Sequence, residues 1–419
     1  MIKNDYVKKA LPNGIKVYLY KDENLKRFFA SYNVKYGTDG YYDTFYYEGK
    51  KFKVQPAIAH FLEHMLIETS VNGNMLLRYM DKSYDTNGVT YPDVTSYYFL
   101  AIDEEENLYK SLDELITMIE SPVFTDENIS NVKHAICEEL KQSNDNKYRI
   151  ANSNNRHNLF RNFDPVPVDN NILGSVNSTQ AITLDEVKVC YDAYYNDENK
   201  FIVIGGNIDI DKIMSVLESI FKKFPLHPNK MSEYNYGDLM PIRAKSEVIK
   251  MWGDTDYVLR TYKMINKFDI SKNELDLYLY MFFRLKFADS TKFVHDLQKK
   301  QIIIDSIGYS VNFFKGIITF SISFNTRDIE KAFSHIENEL MTDNIKEKDF
   351  ELVKREILSN EIKKMDFMYK CFMRFPLEIE FTEHIDSTDS YLAANYEDFK
   401  KIVGGLDFKV HTTTVVTKK

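Results

Sequence analysis

Apolar positions along this chain recur first in the alternating rhythm of strands and then in the three-to-four spacing of helices, with turn signals where the rhythm changes. Leu11-Pro12-Asn13-Gly14 is such a signal; Ile15 to Tyr20 alternates after it as a strand, and Phe28 to Tyr36 reads as a second strand closed by Gly37. Asp39 to Lys53 is aromatic and polar without a clear period and reads as a loop. From Gln55 to Glu68 there is no Gly and apolar residues return at helical intervals, which predicts a helix, followed by another from about Asn74 to Lys82. Tyr84 to Ile102 divides into two strands around Tyr91-Pro92-Asp93. Asn107 to Glu120 is an amphipathic helix stopped by Ser121-Pro122, and Thr125-Asp126-Glu127-Asn128 opens the next, which runs past Gln142. Thr183-Leu184-Asp185-Glu186 caps a helix to about Tyr195, Lys200 to Gly206 is a buried strand, and a helix from about Asp211 to Lys223 follows.

The second half repeats this order. Displaced by 221 positions without gaps, Val132-Lys133-His134-Ala135-Ile136 falls on Val353-Lys354-Arg355-Glu356-Ile357, and Leu112, Leu115 and Ile119 fall on Phe333, Ile336 and Leu340. The strand Tyr97 to Ile102 falls on Ile318 to Ser323 in the same register, as a duplicated α+β unit would require. Unrelated helices sharing an apolar period are the competing explanation. The expected organisation is a first domain over 1–225, a polar, Pro-containing linker over 226–245 and a homologous domain over 246–419.

With 419 residues the chain is too long for one ordinary core, and 44% hydrophobic with 28% charged residues is a globular composition. A net charge of -9 without a basic block argues against a general nucleic-acid binder. Cys137, Cys190 and Cys371 are widely spaced and odd in number, so neither a disulfide framework nor a thiolate zinc site is implied. Residues 1–9 hold no apolar signal-like core and no run of 18 apolar residues occurs, so a cytoplasmic protein without a membrane span is expected.

Within the helix of Gln55 to Glu68 lies His60-Phe61-Leu62-Glu63-His64. Two histidines four apart project from one helix face and can share a metal ion. Glu63 stands beside His64, where a carboxylate can take a proton from a metal-bound water; it is the natural general base. The flanking Ala57, Ile58, Ala59, Leu62, Met65 and Leu66 make this an apolar segment, in which an unpaired ionised glutamate would be costly. In the repeat register His60, Glu63 and His64 fall opposite Met281, Arg284 and Leu285, so one metal site per chain is expected, in the first half. A zinc held by two histidines needs a third protein ligand, and Cys137-Glu138-Glu139-Leu140 offers two carboxylates that could equally be solvent charges.

The HxxEH motif, followed 75 residues later by a glutamate in a Glu-Glu-apolar context, resembles the pitrilysin family of zinc metallopeptidases, which includes insulin-degrading enzyme and mitochondrial processing peptidase. The likeness extends through Leu11-Pro12-Asn13-Gly14, Ser121-Pro122-Val123-Phe124, Ile172-Leu173-Gly174-Ser175 and Phe201-Ile202-Val203-Ile204-Gly205. The resemblance implies an α+β fold of two homologous domains, each a mostly antiparallel sheet covered by helices, forming half of a clam-shell that closes around a peptide. It implies Zn2+ held by His60, His64 and Glu139, with Glu63 as base. It also implies that Asn87 lies on the strand that pairs with the substrate backbone, and that Tyr309 in Gly308-Tyr309-Ser310-Val311 contacts substrate.

Two positions depart from the family pattern. Val132 stands where a supporting glutamate is usual, seven residues before the zinc glutamate, and Ile302 stands where an arginine precedes the tyrosine by seven. Lys299 and Lys300 are nearby cations, but a lysine is a point charge and not a planar fork. The expectation is a zinc-dependent endopeptidase acting on peptides or leader segments, the zinc-bearing member of a pair with a second pitrilysin-family chain, a homodimer being the other arrangement. A non-catalytic peptide-binding or scaffold subunit is the competing reading.

Overall fold

The computed structural model describes residues 6–102, 105–143, 146–162, 174–366 and 388–418, so Ile172 and Leu173 of the family-like stretches lie outside the described residues. The described residues form two compact units, the first drawn from the chain up to Asn144 and from Ile172 to Asn235, the second from Asp145 to Asn171 and from Tyr236 onwards.

In the first unit β1 (Tyr6–Ala10), β2 (Lys16–Lys21), β3 (Phe28–Val34), β6 (Asp85–Thr90), β7 (Thr95–Ala101) and β8 (Lys200–Gly206) make one sheet in the order β1-β2-β8-β3-β7-β6. All its pairings are antiparallel except β2 with β8. β3 and β8 are buried along their whole length, and apart from Asn33 and Lys200 their residues are apolar, aromatic or small on both faces. Helices α1 (Ile58–Glu68), α2 (Met75–Asp81), α3 (Glu105–Glu120), α4 (Asp126–Ser143), α6 (Val176–Ala181), α7 (Leu184–Tyr194) and α8 (Ile210–Phe221) belong to the same unit, and α1 packs against α4, α7 and the edge strand β6.

The region 39–53, read as a loop, contains a short hairpin. β4 (Thr44–Tyr47) and β5 (Lys50–Lys53) turn at Glu48-Gly49, both with positive φ, and β4 also pairs with β9 (Met231–Glu233). Phe45 is buried against Phe52 and Tyr194, so one inward ring on each strand anchors a segment whose other residues are polar or aromatic. The expected linker is therefore structured: its Met231–Glu233 is sheet in the first unit, while Leu239 and Pro241 give carbonyls to the buried Lys263 ammonium in the second.

In the second unit β10 (Ser246–Met251), β11 (Asp256–Ile265), β12 (Gly308–Phe314), β13 (Ile317–Thr326) and β14 (Val410–Lys418) follow the order β10-β14-β11-β13-β12. This order matches β2-β8-β3-β7-β6 strand for strand, including one parallel pair at the same place, β10 with β14. Its helices are α5 (Lys147–Leu159), α9 (Lys272–Phe287), α10 (Lys292–Lys299), α11 (Ile329–Met341), α12 (Glu347–Asp366), α13 (Thr388–Ala393) and α14 (Tyr396–Gly404). A shift of 221 carries the start of α4 at Asp126 onto the start of α12 at Glu347, so register and topology describe the same duplication.

Helix α5 corrects the expected assignment of all of 1–225 to one domain, since its residues belong to the second unit. Although it precedes the last stretch of the first unit in sequence, its Ala151 packs with Tyr257, Leu259 and Val416, and its Asn155 side chain donates to the Leu259 carbonyl. Asparagines at 152, 154, 155 and 158 mask this helix in any hydrophobic pattern, because its buried face is bonded through amides.

A charged cluster lies in the first unit's interior. Lys200, at the start of β8, places its ammonium 2.9 Å from Glu120 and 3.5 Å from Asp197, and Tyr32 donates its hydroxyl to Glu120. Lys200 and Glu120 side chains are almost wholly removed from water, so Lys200→Met would strand two carboxylates. Urea unfolding should show a loss of about 3–5 kcal/mol for that variant; a loss under 1 kcal/mol would mean that solvent reaches the group.

Candidate metal centre

Helix α1 starts abruptly after Pro56-Ala57, with Ala57 in the left-handed region at φ 63°, and ends where the Thr69 hydroxyl donates to the Met65 carbonyl and reaches the Val123 carbonyl at 3.5 Å. Its apolar side chains Ile58, Phe61, Leu62, Met65 and Leu66 join the unit's core, leaving His60, Glu63 and His64 on the side that meets α4 and β6. The two imidazoles lie edge to face with centroids 4.7 Å apart. Glu139 of α4 brings one carboxylate oxygen 3.8 Å from His60 Nε2 and 3.7 Å from His64 Nε2. Among the described residues, this is the one group of His, Cys, Asp and Glu side chains whose donor atoms, all within 4.8 Å of one another, could share an ion. Glu138 instead faces solvent and pairs with Lys141 at 2.6 Å, which distinguishes the two adjacent glutamates that the sequence left open.

The donor set fits zinc. Ligands at 2.0–2.1 Å from a tetrahedral ion are about 3.3 Å apart, within about half an ångström of the separations between Glu139 and the histidines. Two imidazoles and a carboxylate form a three-ligand arrangement that leaves a fourth position open.

Glu63 is 6% exposed, and its Oε2 accepts the Thr90 hydroxyl of β6 at 2.6 Å. Burial raises its pKa above the ordinary carboxylate range; the Thr90 bond and His64 oppose that, while Glu139 and Glu68 add to it. Gly88 of β6 packs beneath it, where a Cβ would come within 2.7 Å of Glu63 Oε1 and 2.2 Å of Ile67 Cδ1. β6 therefore both holds the carboxylate and leaves room for it. Thr90→Val keeps the shape and removes the bond, and should lower peptide cleavage about tenfold or more without changing zinc content; unchanged turnover would show that Thr90 does not orient Glu63.

Two contacts escaped the sequence reading. Glu68, one turn beyond His64, places Oε1 2.7 Å from His64 Nδ1. Burial lowers the His64 pKa, but that bond and the charges of Glu63, Glu68 and Glu139 carry it above the usual value. In the second unit, Tyr309 lies half-buried on the edge strand β12 with the Arg284 guanidinium as hydrogen-bond partner. Arg284, which also pairs with Glu356, occupies the repeat position opposite Glu63. The cation at Tyr309 thus comes from α9, whereas Ile302 is buried. Asn87 is exposed on β6, the edge strand of the first unit's sheet, paired with Tyr98 of β7 and accepting the Gly88 amide on its own side chain.

Two family models match the chain. "Insulinase (Peptidase family M16)" matches residues 53–169, and "Peptidase M16 inactive domain" matches residues 181–357. The chain belongs to the M16, or pitrilysin, family. Among M16 relatives, the protein named "uncharacterized zinc protease YmfH" of Bacillus subtilis is 25% identical over 79% of this chain and 76% of its own length. An M16-like peptidase from Alicyclobacillus acidocaldarius superposes with a TM-score of 0.87 at 21% identity, covering 100% of this chain and 99% of that one. The first half of the periplasmic protease PqqL from Escherichia coli gives a TM-score of 0.73 at 15% identity over 99% of this chain and 92% of that fragment, and the chain spans 48% of full-length PqqL. The chain thus shares the α+β fold of two homologous domains with these structures. Among the described residues no helix is long and apolar enough to cross a membrane.

Proposed function

We propose that this chain is a zinc-dependent metalloendopeptidase and the zinc-bearing member of an M16 pair. The observation that carries the reading is the convergence of His60, His64 and Glu139 from two helices beside the buried, Thr90-bonded Glu63. The names of the relatives as zinc proteases support the choice of metal.

A bound zinc would supply Lewis acidity toward the scissile carbonyl and lower the pKa of a coordinated water to about 7. Glu63 accepts one proton as water adds to the carbonyl carbon and returns it to the amide nitrogen as the C–N bond breaks; the water's second proton then passes from the new carboxyl group to the amine, so the products leave as a carboxylate and an ammonium. Burial, which raises the Glu63 pKa, favours its holding the proton between the two transfers. The unpaired side of β6, carrying exposed Asn87, offers an edge on which an extended peptide can add as a strand, which favours unfolded peptides or leader segments.

Ile302 supports the pairing and also the reading of a peptide-binding subunit without catalysis. With the family's arginine position apolar and Arg284 already bonded to Glu356, a partner chain bearing arginine and tyrosine seven apart would complete the substrate contacts. Four intact residues at the metal centre weigh against the non-catalytic subunit. The test is cleavage of an unstructured peptide by the zinc-loaded chain with and without such a partner. Slow cleavage alone and a large gain on mixing are expected; full turnover alone would remove the pair, and no turnover in either case would favour the non-catalytic reading.

A further inference from the structure

We infer that Glu68 is a positioning residue that orients His64 for the metal, taking over from helix α1 itself the support that α4 does not give. The inference rests on the metal reading of His60, His64 and Glu139.

A carboxylate 2.7 Å from a ring nitrogen can only accept, so the proton of neutral His64 sits on Nδ1 and the lone pair is on Nε2. Nε2 is the nitrogen that faces Glu139 at 3.7 Å. A single contact therefore sets both the tautomer and the rotation of the ring, as an outer carboxylate does for a ligating histidine. The spacing follows from the helix: residues 64 and 68 are one turn apart on the face that carries His60, and both side chains are half-buried, at 22% and 28% exposure. The backbone under Glu68 is fixed from the next residue, since the Thr69 hydroxyl donates to the Met65 carbonyl and lies 3.5 Å from the Val123 carbonyl.

An ordinary i,i+4 surface pair would show the same spacing, and two further observations separate the readings. The contact uses the nitrogen pointing away from Glu139, leaving the correct atom for the ion. In addition, α4 offers no acid at position 132, because Val132 is wholly buried in the apolar core. With Glu68 the motif extends to His-x-x-Glu-His-x-x-x-Glu over residues 60–68, all on the ligand helix.

The experiment measures zinc affinity of the full chain by competition with a chromophoric chelator, alongside melting of the metal-free protein. Glu68→Ala should weaken zinc binding about 10–100-fold, and Glu68→Gln, whose carbonyl still accepts from Nδ1, should recover most of that loss. Melting of the metal-free protein should differ little among the three. Zinc affinity of Glu68→Ala within twofold of wild type would overturn the inference. So would a glutamine variant as impaired as the alanine one with equal loss of metal-free stability, which marks a structural contact. Absence of zinc binding by the wild-type chain would overturn the metal reading and this inference with it, a result distinguishable from the other two.

Discussion

Glu63→Gln is expected to keep about one zinc per chain while peptide cleavage falls by about 10²–10⁴-fold, the range that a positioned general base contributes. Glutamine preserves the volume of a side chain that is 6% exposed and can still accept the Thr90 hydroxyl, so packing against Gly88 and Ile67 is undisturbed. Only the proton-accepting capacity disappears. Because Glu63 is not among the three side chains whose donor atoms converge, metal content and activity should separate in this variant. Loss of both together would place Glu63 in the metal's support, and retained cleavage would assign the base elsewhere.

Glu139→Ala is expected to do the opposite, removing metal and activity together. The variant leaves two imidazoles and two open positions, so zinc affinity should fall by more than the roughly 100-fold that loss of a supporting contact costs. Glu138→Ala is the matched control. It removes the neighbouring carboxylate, which is engaged with Lys141 at the surface, and should leave zinc content unchanged. Equal effects at 138 and 139 would mean that general negative charge on α4, and not one directed oxygen, attracts the ion. Both variants are read by metal analysis of the dialysed protein.

These effects depend on features that differed in how far the sequence displayed them. His60 and His64 were legible because a four-residue spacing in a helical segment has one geometric meaning. The capping box at Thr183 and Glu186 was equally plain, and helix α7 begins at Leu184 as those residues dictate. Glu139 was not separable from Glu138 on local grounds, since their difference lies in which face of α4 meets α1. That choice came from the family resemblance, and the Lys141 pairing of Glu138 gives its physical counterpart.

Contacts made by long polar side chains were the least visible. Glu68 entered the sequence reading only as the end of a helical stretch, although its i,i+4 relation to His64 was present in the sequence. Arg284 was aligned opposite Glu63 by the repeat, yet its bond to Tyr309 depends on the pairing of α9 with β12, which no local pattern encodes. Helix α5 was assigned to the wrong side of the boundary because its buried contacts run through asparagine amides. The β4–β5 hairpin escaped because its inward face, built on Phe45 with Tyr47 and Phe52, is too short to show a period. In each case the deciding interaction is tertiary and polar, or too short to establish a period.

The most direct test is anomalous diffraction at the zinc edge from crystals of the wild-type chain grown with zinc. A single strong peak about 2.0–2.2 Å from His60 Nε2, His64 Nε2 and a Glu139 carboxylate oxygen is the predicted result. A zinc-saturated crystal without density between those three side chains, or with the ion bound elsewhere, would contradict the account.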